Sequence, residues 1–95
     1  MAVYTVAEIT IKDEEAYKEY QAKVPATIEM YGGRYLVRGG EVAPGEGDWN
    51  PGRVVILEFP DAAALQKWAT SPEYAPVAEI RHRAADTRSF MVQGV

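Results

Sequence analysis

The run Arg53-Val54-Val55-Ile56-Leu57-Glu58-Phe59 is apolar on both faces of the strand it predicts. Alternation sends Val55, Leu57 and Phe59 one way and Val54, Ile56 and Glu58 the other. A sheet with one wet face reads as apolar/polar alternation, so this strand calls for cover on both sides. A chain of 95 residues has helix enough for only one of them. The other face needs a second subunit, or lines a pocket that two subunits enclose.

The remaining pattern places this strand in an ordered set. Residues 3–11 alternate and are rich in β-branched types, a first strand. Asp13 is a good N-cap, and Glu14 and Glu15 follow where the helix dipole favours acids. Tyr17, Tyr20, Val24, Ile28 and Tyr31 form one apolar helical stripe. Pro25 interrupts it and predicts a bend near Val24, and Gly32-Gly33 ends the helix. Residues 34–42 read as a second strand, 43–52 as a Gly/Pro-rich loop carrying Trp49, and 53–59 as the third strand. Pro60-Asp61 opens a short helix with Leu65 and Trp68. Ser71-Pro72-Glu73 starts another, with Ser at the N-cap, and it places Tyr74, Val77, Ile80 and Ala84 on one side. Residues 87–93 are the final strand. The order β-α-β-β-α-β, with the second helical region split, is the ferredoxin-like α+β arrangement: a four-stranded antiparallel sheet with its helices on one face. The expectation is a single domain over residues 1–95.

Composition narrows the chemistry. The absence of cysteine excludes disulfides, thiolate metal sites, iron–sulfur clusters and thiol nucleophiles. A net charge of -4 argues against a nucleic-acid surface. No stretch approaches the roughly 18 apolar residues of a membrane span, and Met1–Val6 has no signal-peptide pattern. The expected protein is soluble and cytoplasmic. With one histidine and no tight carboxylate cluster, neither a metal site nor a cofactor is expected.

Gly32-Gly33-Arg34-Tyr35-Leu36-Val37-Arg38-Gly39-Gly40, Glu46-Gly47-Asp48-Trp49, the strand 53–59 with Pro60, Trp68, Ser71-Pro72-Glu73-Tyr74 and Ile80-Arg81 occur in that order. Together they resemble the family called domain of unknown function 1330, over nearly the whole chain. The resemblance implies a dimeric α/β barrel, in which ferredoxin-like subunits face each other sheet to sheet. Relatives in that superfamily include cofactor-independent monooxygenases, muconolactone isomerases, heme enzymes and ligand-sensing domains. The family itself has no settled activity, so function must be argued from residues.

Glu8, Arg38 and Glu58 are charges in apolar strands. If Tyr35 and Val37 pack beneath the helices, Arg38 is out of phase with them and faces the space between subunits, with Glu58 or Glu8 within salt-bridge reach. Such charges must pair, bind ligand or touch water. One reading is an ion pair supporting the dimer. The other is a pocket in which Arg38 binds an anionic group, Glu58 acts as base and Tyr17 as proton donor. Trp49 is a candidate pocket lid or dimer anchor. Arg34 and Arg53, beside Gly-rich turns, read as surface salt bridges or carboxylate clamps. His82, between Arg81 and Arg83, reads as a solvated helix face. Gly39-Gly40 reads as a bulge or a close backbone approach. Three functions follow: a cofactor-independent enzyme acting on a small carboxylate-bearing or aromatic molecule, a non-catalytic binding or sensing domain using the same cavity, or a structural dimer.

Overall fold

The computed structural model describes residues 1–95. Strands β1 (Val3–Ile11), β2 (Arg34–Arg38), β3 (Arg53–Phe59) and β4 (Ala85–Gln93) alternate with helices α1 (Glu14–Met30), α2 (Ala62–Ala69) and α3 (Ala75–Ala84). The sheet is antiparallel in the order β2-β3-β1-β4. This is the ferredoxin-like α+β fold.

Local chemistry sets most boundaries. The Asp13 carboxylate accepts the Ala16 N–H at 3.2 Å and starts α1, and Asp61 does the same for α2 through Ala64 at 2.8 Å. The Ser71 hydroxyl accepts the Tyr74 N–H at 3.1 Å, but it caps a turn, and α3 itself begins at Ala75. The core lies between the sheet and the helices: Ile9, Leu57 and Phe59 from strands, Tyr17, Val24 and Ile28 from α1, Leu65, Trp68 and Ile80 from α2 and α3. Phe59 is fully buried, against the Trp68 ring at 5.4 Å. Leu57 and Phe59 therefore face the helices, and Val54, Ile56 and Glu58 face away, as the alternation requires.

Helix α1 runs unbroken through Pro25. Proline has no N–H, so the carbonyl four residues back, on Gln21, loses its helical donor. The Arg38 guanidinium supplies the replacement, donating from Nη2 to Gln21 O at 2.8 Å.

That bond corrects the expected orientation of Arg38. Arg34 pairs with Glu58 and Tyr35 with Leu57, then the register shifts so that Val37 lies opposite Ile56 and Arg38 opposite Val55. Leu36 is the extra residue of a β-bulge, and beyond it every side chain changes face. Val37 turns outward and Arg38 turns toward α1. Strand β2 also ends at Arg38 rather than at residue 42, so the connection to β3 spans 39–52. Gly39 (φ 72) makes the expected close approach, since a Cβ there would collide with the Arg53 guanidinium.

Candidate functional site

The outer face of the sheet is built in rows by the strand register. Arg34, Glu58, Tyr4 and Val92 form one row, Val37, Ile56, Val6 and Phe90 the next, and Val54, Glu8 and Arg88 the third. The middle row is wholly apolar, and Phe90 is 54% exposed. Each flanking row carries one ion pair. Arg34 Nε meets Glu58 Oε1 at 2.6 Å, and Arg88 Nη2 meets Glu8 Oε1 at 2.6 Å. Glu8 also accepts the Gly52 N–H at 3.2 Å, which ties the long loop to the sheet.

The partner arginines set the protonation of both acids. The hydrogen bond from Arg34 holds the Glu58 carboxyl below the usual carboxylate range, and the one from Arg88 does the same for Glu8. The Tyr4 phenol is raised, first by its hydrogen bond to Glu58. A carboxylate held in its charged form this way is a poor proton acceptor. Trp49, 66% exposed, lines an open trough of about 490 Å³ with Val6, Val54, Arg88 and Phe90.

The expected residues thus divide between two faces. Glu58, Glu8 and Trp49 stand on the outer side; Tyr17 and Arg38 stand on the helix side. Arg38 has neither Glu58 nor Glu8 as its partner, and Tyr17 and Glu58 do not share a site within one subunit. Tyr17 is 3% exposed on the α1 stripe, with the Arg53 guanidinium 5.5 Å from its ring centroid.

On the helix side a cleft of about 340 Å³ lies between the sheet and helices α2 and α3. Its walls are mainly apolar, including Ala7, Val55, Leu57, Leu65 and Trp68. The Trp68 and Tyr74 rings stand 4.1 Å apart, and Trp68 is fixed by donating from Nε1 to the Thr27 hydroxyl at 3.1 Å. The polar groups converge at one end. The Tyr20 and Tyr74 hydroxyls lie 3.4 Å apart, and Arg81 Nη2 lies 3.5 Å from both Tyr74 Oη and His82 Nε2. Arg81 is half-buried and takes part in no salt bridge. Thr87 contributes a buried hydroxyl with no hydrogen-bond partner.

Burial, then the Tyr74 phenol, pushes Tyr20 well above the ordinary tyrosine value, so it stays protonated at neutral pH. Burial alone would lower Arg81, but Tyr74 and Tyr20 outweigh it and the net shift is upward. The cleft therefore presents a cation and the protonated Tyr20 hydroxyl to whatever enters it.

Arg81 is the residue whose surroundings the sequence hides, since the run Arg81-His82-Arg83 looks like a solvated face; His82 is exposed, as that pattern predicts, and only its ring edge reaches the cleft mouth. Spacing held the signal: Tyr74, Val77 and Arg81 recur at three and four residues, one side of a helix. No group of three or more His, Asp or Glu side chains converges to hold a metal ion, and no helix is long and apolar enough to cross a membrane.

Solved structures share this architecture. A protein of unknown function from Rhodopseudomonas palustris, RPA0582, is similar at 21% identity and TM-score 0.76, over 99% of this chain and 82% of that one. SnoaB, a cofactor-independent oxygenase from Streptomyces nogalater, is similar at 16% identity and TM-score 0.72, over 99% of this chain and 93% of its own. A dimeric ferredoxin-like protein of unknown function from Jannaschia sp. CCS1 has 15% identity and TM-score 0.72, over 99% and 100% of the two chains. At these identities the likeness shows the fold. No curated protein matches the chain. The model of the family described as domain of unknown function (DUF1330) matches residues 2–95, and the chain belongs to that family.

Proposed function

We propose that the protein is a homodimer, paired through the outer face of its sheet, that binds a small aromatic acid in the helix-side cleft of each subunit. The observation that carries the binding site is Arg81: a half-buried guanidinium beside two phenols, with no carboxylate in reach. A buried charge without a counterion is costly, and an entering carboxylate or acidic phenol relieves it with a charge-assisted hydrogen bond. The size of the cleft suits a ring system, and its apolar wall, with the edges of the packed Trp68 and Tyr74 rings, offers contact to one. The wholly apolar middle row of the outer face supports pairing with a second copy, as does the dimeric state of the Jannaschia relative.

Catalysis without a cofactor is the second reading, favoured by the Tyr20–Tyr74 hydroxyl pair beside Arg81. A cation there lowers the energy of negative charge developing on a bound oxygen. The oxygenase activity of SnoaB, a relative in fold, is compatible with such a site.

The two tryptophans make the test direct. Trp49 lies on the other face, so Trp49→Phe leaves Trp68 as the sole reporter in the cleft. Salicylate titrated into this variant is expected to quench Trp68 saturably, and Arg81→Gln to weaken the effect about tenfold. Benzamide, a neutral aromatic control, is expected to bind weakly. Equal binding of salicylate with and without Arg81, or no saturation into the millimolar range, overturns the assignment. Dioxygen uptake with bound phenols separates the enzyme from the binding domain.

A further inference from the structure

A pair of cations lies on the helix side, separated from the cleft by Tyr20. Arg38 is opposite Val55 in the sheet, and Arg53 is two residues before Val55, so the two arginines are diagonal neighbours on one face. Neither forms a salt bridge with a carboxylate. Each stands over an aromatic ring, Arg38 at 4.7 Å from the centroid of Tyr35 and Arg53 at 5.5 Å from that of Tyr17. Gly39 lets the backbone close on the Arg53 guanidinium and fixes its place.

Two features point to a ligand. Arg53 Nε is sealed from solvent and has no hydrogen-bond partner, which such a donor rarely tolerates. A cavity of about 30 Å³ lies beside the Arg53 side chain; Ile9, Val24, Ile28, Val55 and Leu57 make much of its wall apolar, and Arg38, Gln21 and the tyrosines supply its polar groups. That volume holds one or two oxygen atoms and excludes a ring.

We propose that Arg53 and Arg38 form an oxyanion site that takes the two-oxygen head of a carboxylate. A planar carboxylate matches the planar guanidinium, its oxygens accept from Arg53 Nε and from an Arg38 N–H not used on Gln21, and its charge relieves the repulsion between two neighbouring cations. Because Arg38 is exposed, the rest of the molecule extends outward past β2. A tetrahedral anion is too bulky for the cavity, so the site discriminates by shape.

The readout is the Arg53 Nε–H resonance in ¹H–¹⁵N spectra, identified by its loss in Arg53→Lys. Acetate at constant ionic strength is expected to shift it saturably, and chloride and sulfate are expected to leave it in place. Arg38→Gln, made in a Pro25→Ala background that returns a backbone donor to Gln21, is expected to weaken acetate about tenfold. Arg81→Gln is expected to change nothing, which separates this site from the cleft. If acetate produces no saturable shift, a trapped water satisfies Nε and the proposal fails. It fails equally if chloride or sulfate shifts the resonance as acetate does, or if Arg38→Gln binds acetate unchanged.

Discussion

Pro25 and Arg38 act as a pair at the scale of single residues. The proline frees the Gln21 carbonyl and the arginine occupies it at 2.8 Å. Arg38→Met should therefore cost about 1–2 kcal/mol of stability. In Pro25→Ala, where residue 25 regains its N–H, the same substitution should cost close to nothing. Urea unfolding of the four proteins measures the coupling; an equal cost in both backgrounds removes the link. Proline's demand for a donor was legible from the sequence, because a mid-helix proline always frees a carbonyl. Its source was not, since it lies seventeen residues further along on another element. By strand alternation alone that donor faces the other way, as a ligand binder.

The elements follow local rules wherever local chemistry decides. Asp13, Asp61 and the apolar stripe of α1 gave their helices from sequence, as did the two-faced pattern of β3. The bulge at Leu36 resisted such reading because Leu36 is an ordinary strand residue, and a one-residue slip is set by how β2 closes against β3. Its consequence for the candidate site is large: Arg38 and Val37 exchange faces. The end of α1 is more tightly determined. A Cβ at Gly33 would meet Phe59 Cε1 at 2.5 Å and Ile28 Cγ2 at 2.9 Å, both parts of the core. Gly33→Ala is expected to destabilise the fold by about 1–3 kcal/mol, read as a lower urea midpoint. An unchanged midpoint would mean that the Phe59 ring moves aside freely.

Two consequences belong to the whole molecule. Ile56 sits in the apolar middle row, so Ile56→Lys should convert the proposed dimer to a folded 10.5 kDa monomer in sedimentation experiments. A wild-type monomer, or an Ile56→Lys dimer, contradicts pairing through this face. Acid should also weaken the fold. Glu8 and Glu58 have carboxyls depressed by their arginines. Their contribution is fully present above the unfolded carboxylate value of about 4.3 and is lost as pH falls through the lower folded values. The urea midpoint of the wild type is expected to drop below that pH more steeply than that of Glu8→Gln; parallel profiles would show that the Arg88 pair contributes nothing.

The position of β1 has a consequence for folding order. It is a central strand, yet one neighbour is β4, so Val3 pairs with Gln93 and the Gly94 N–H reaches Ala2 O at 2.8 Å. Nascent β1 therefore waits with an open edge until nearly all of the chain has emerged, a non-local contact that slows folding. The same adjacency makes the ends easy to join. A circular permutant that links residues 95 and 1 and opens the chain within 43–52 turns β4 and β1 into a local hairpin. It should refold faster than the parent in stopped-flow measurements. Equal rates would place the barrier elsewhere, in the docking of α1 and α3 onto the sheet.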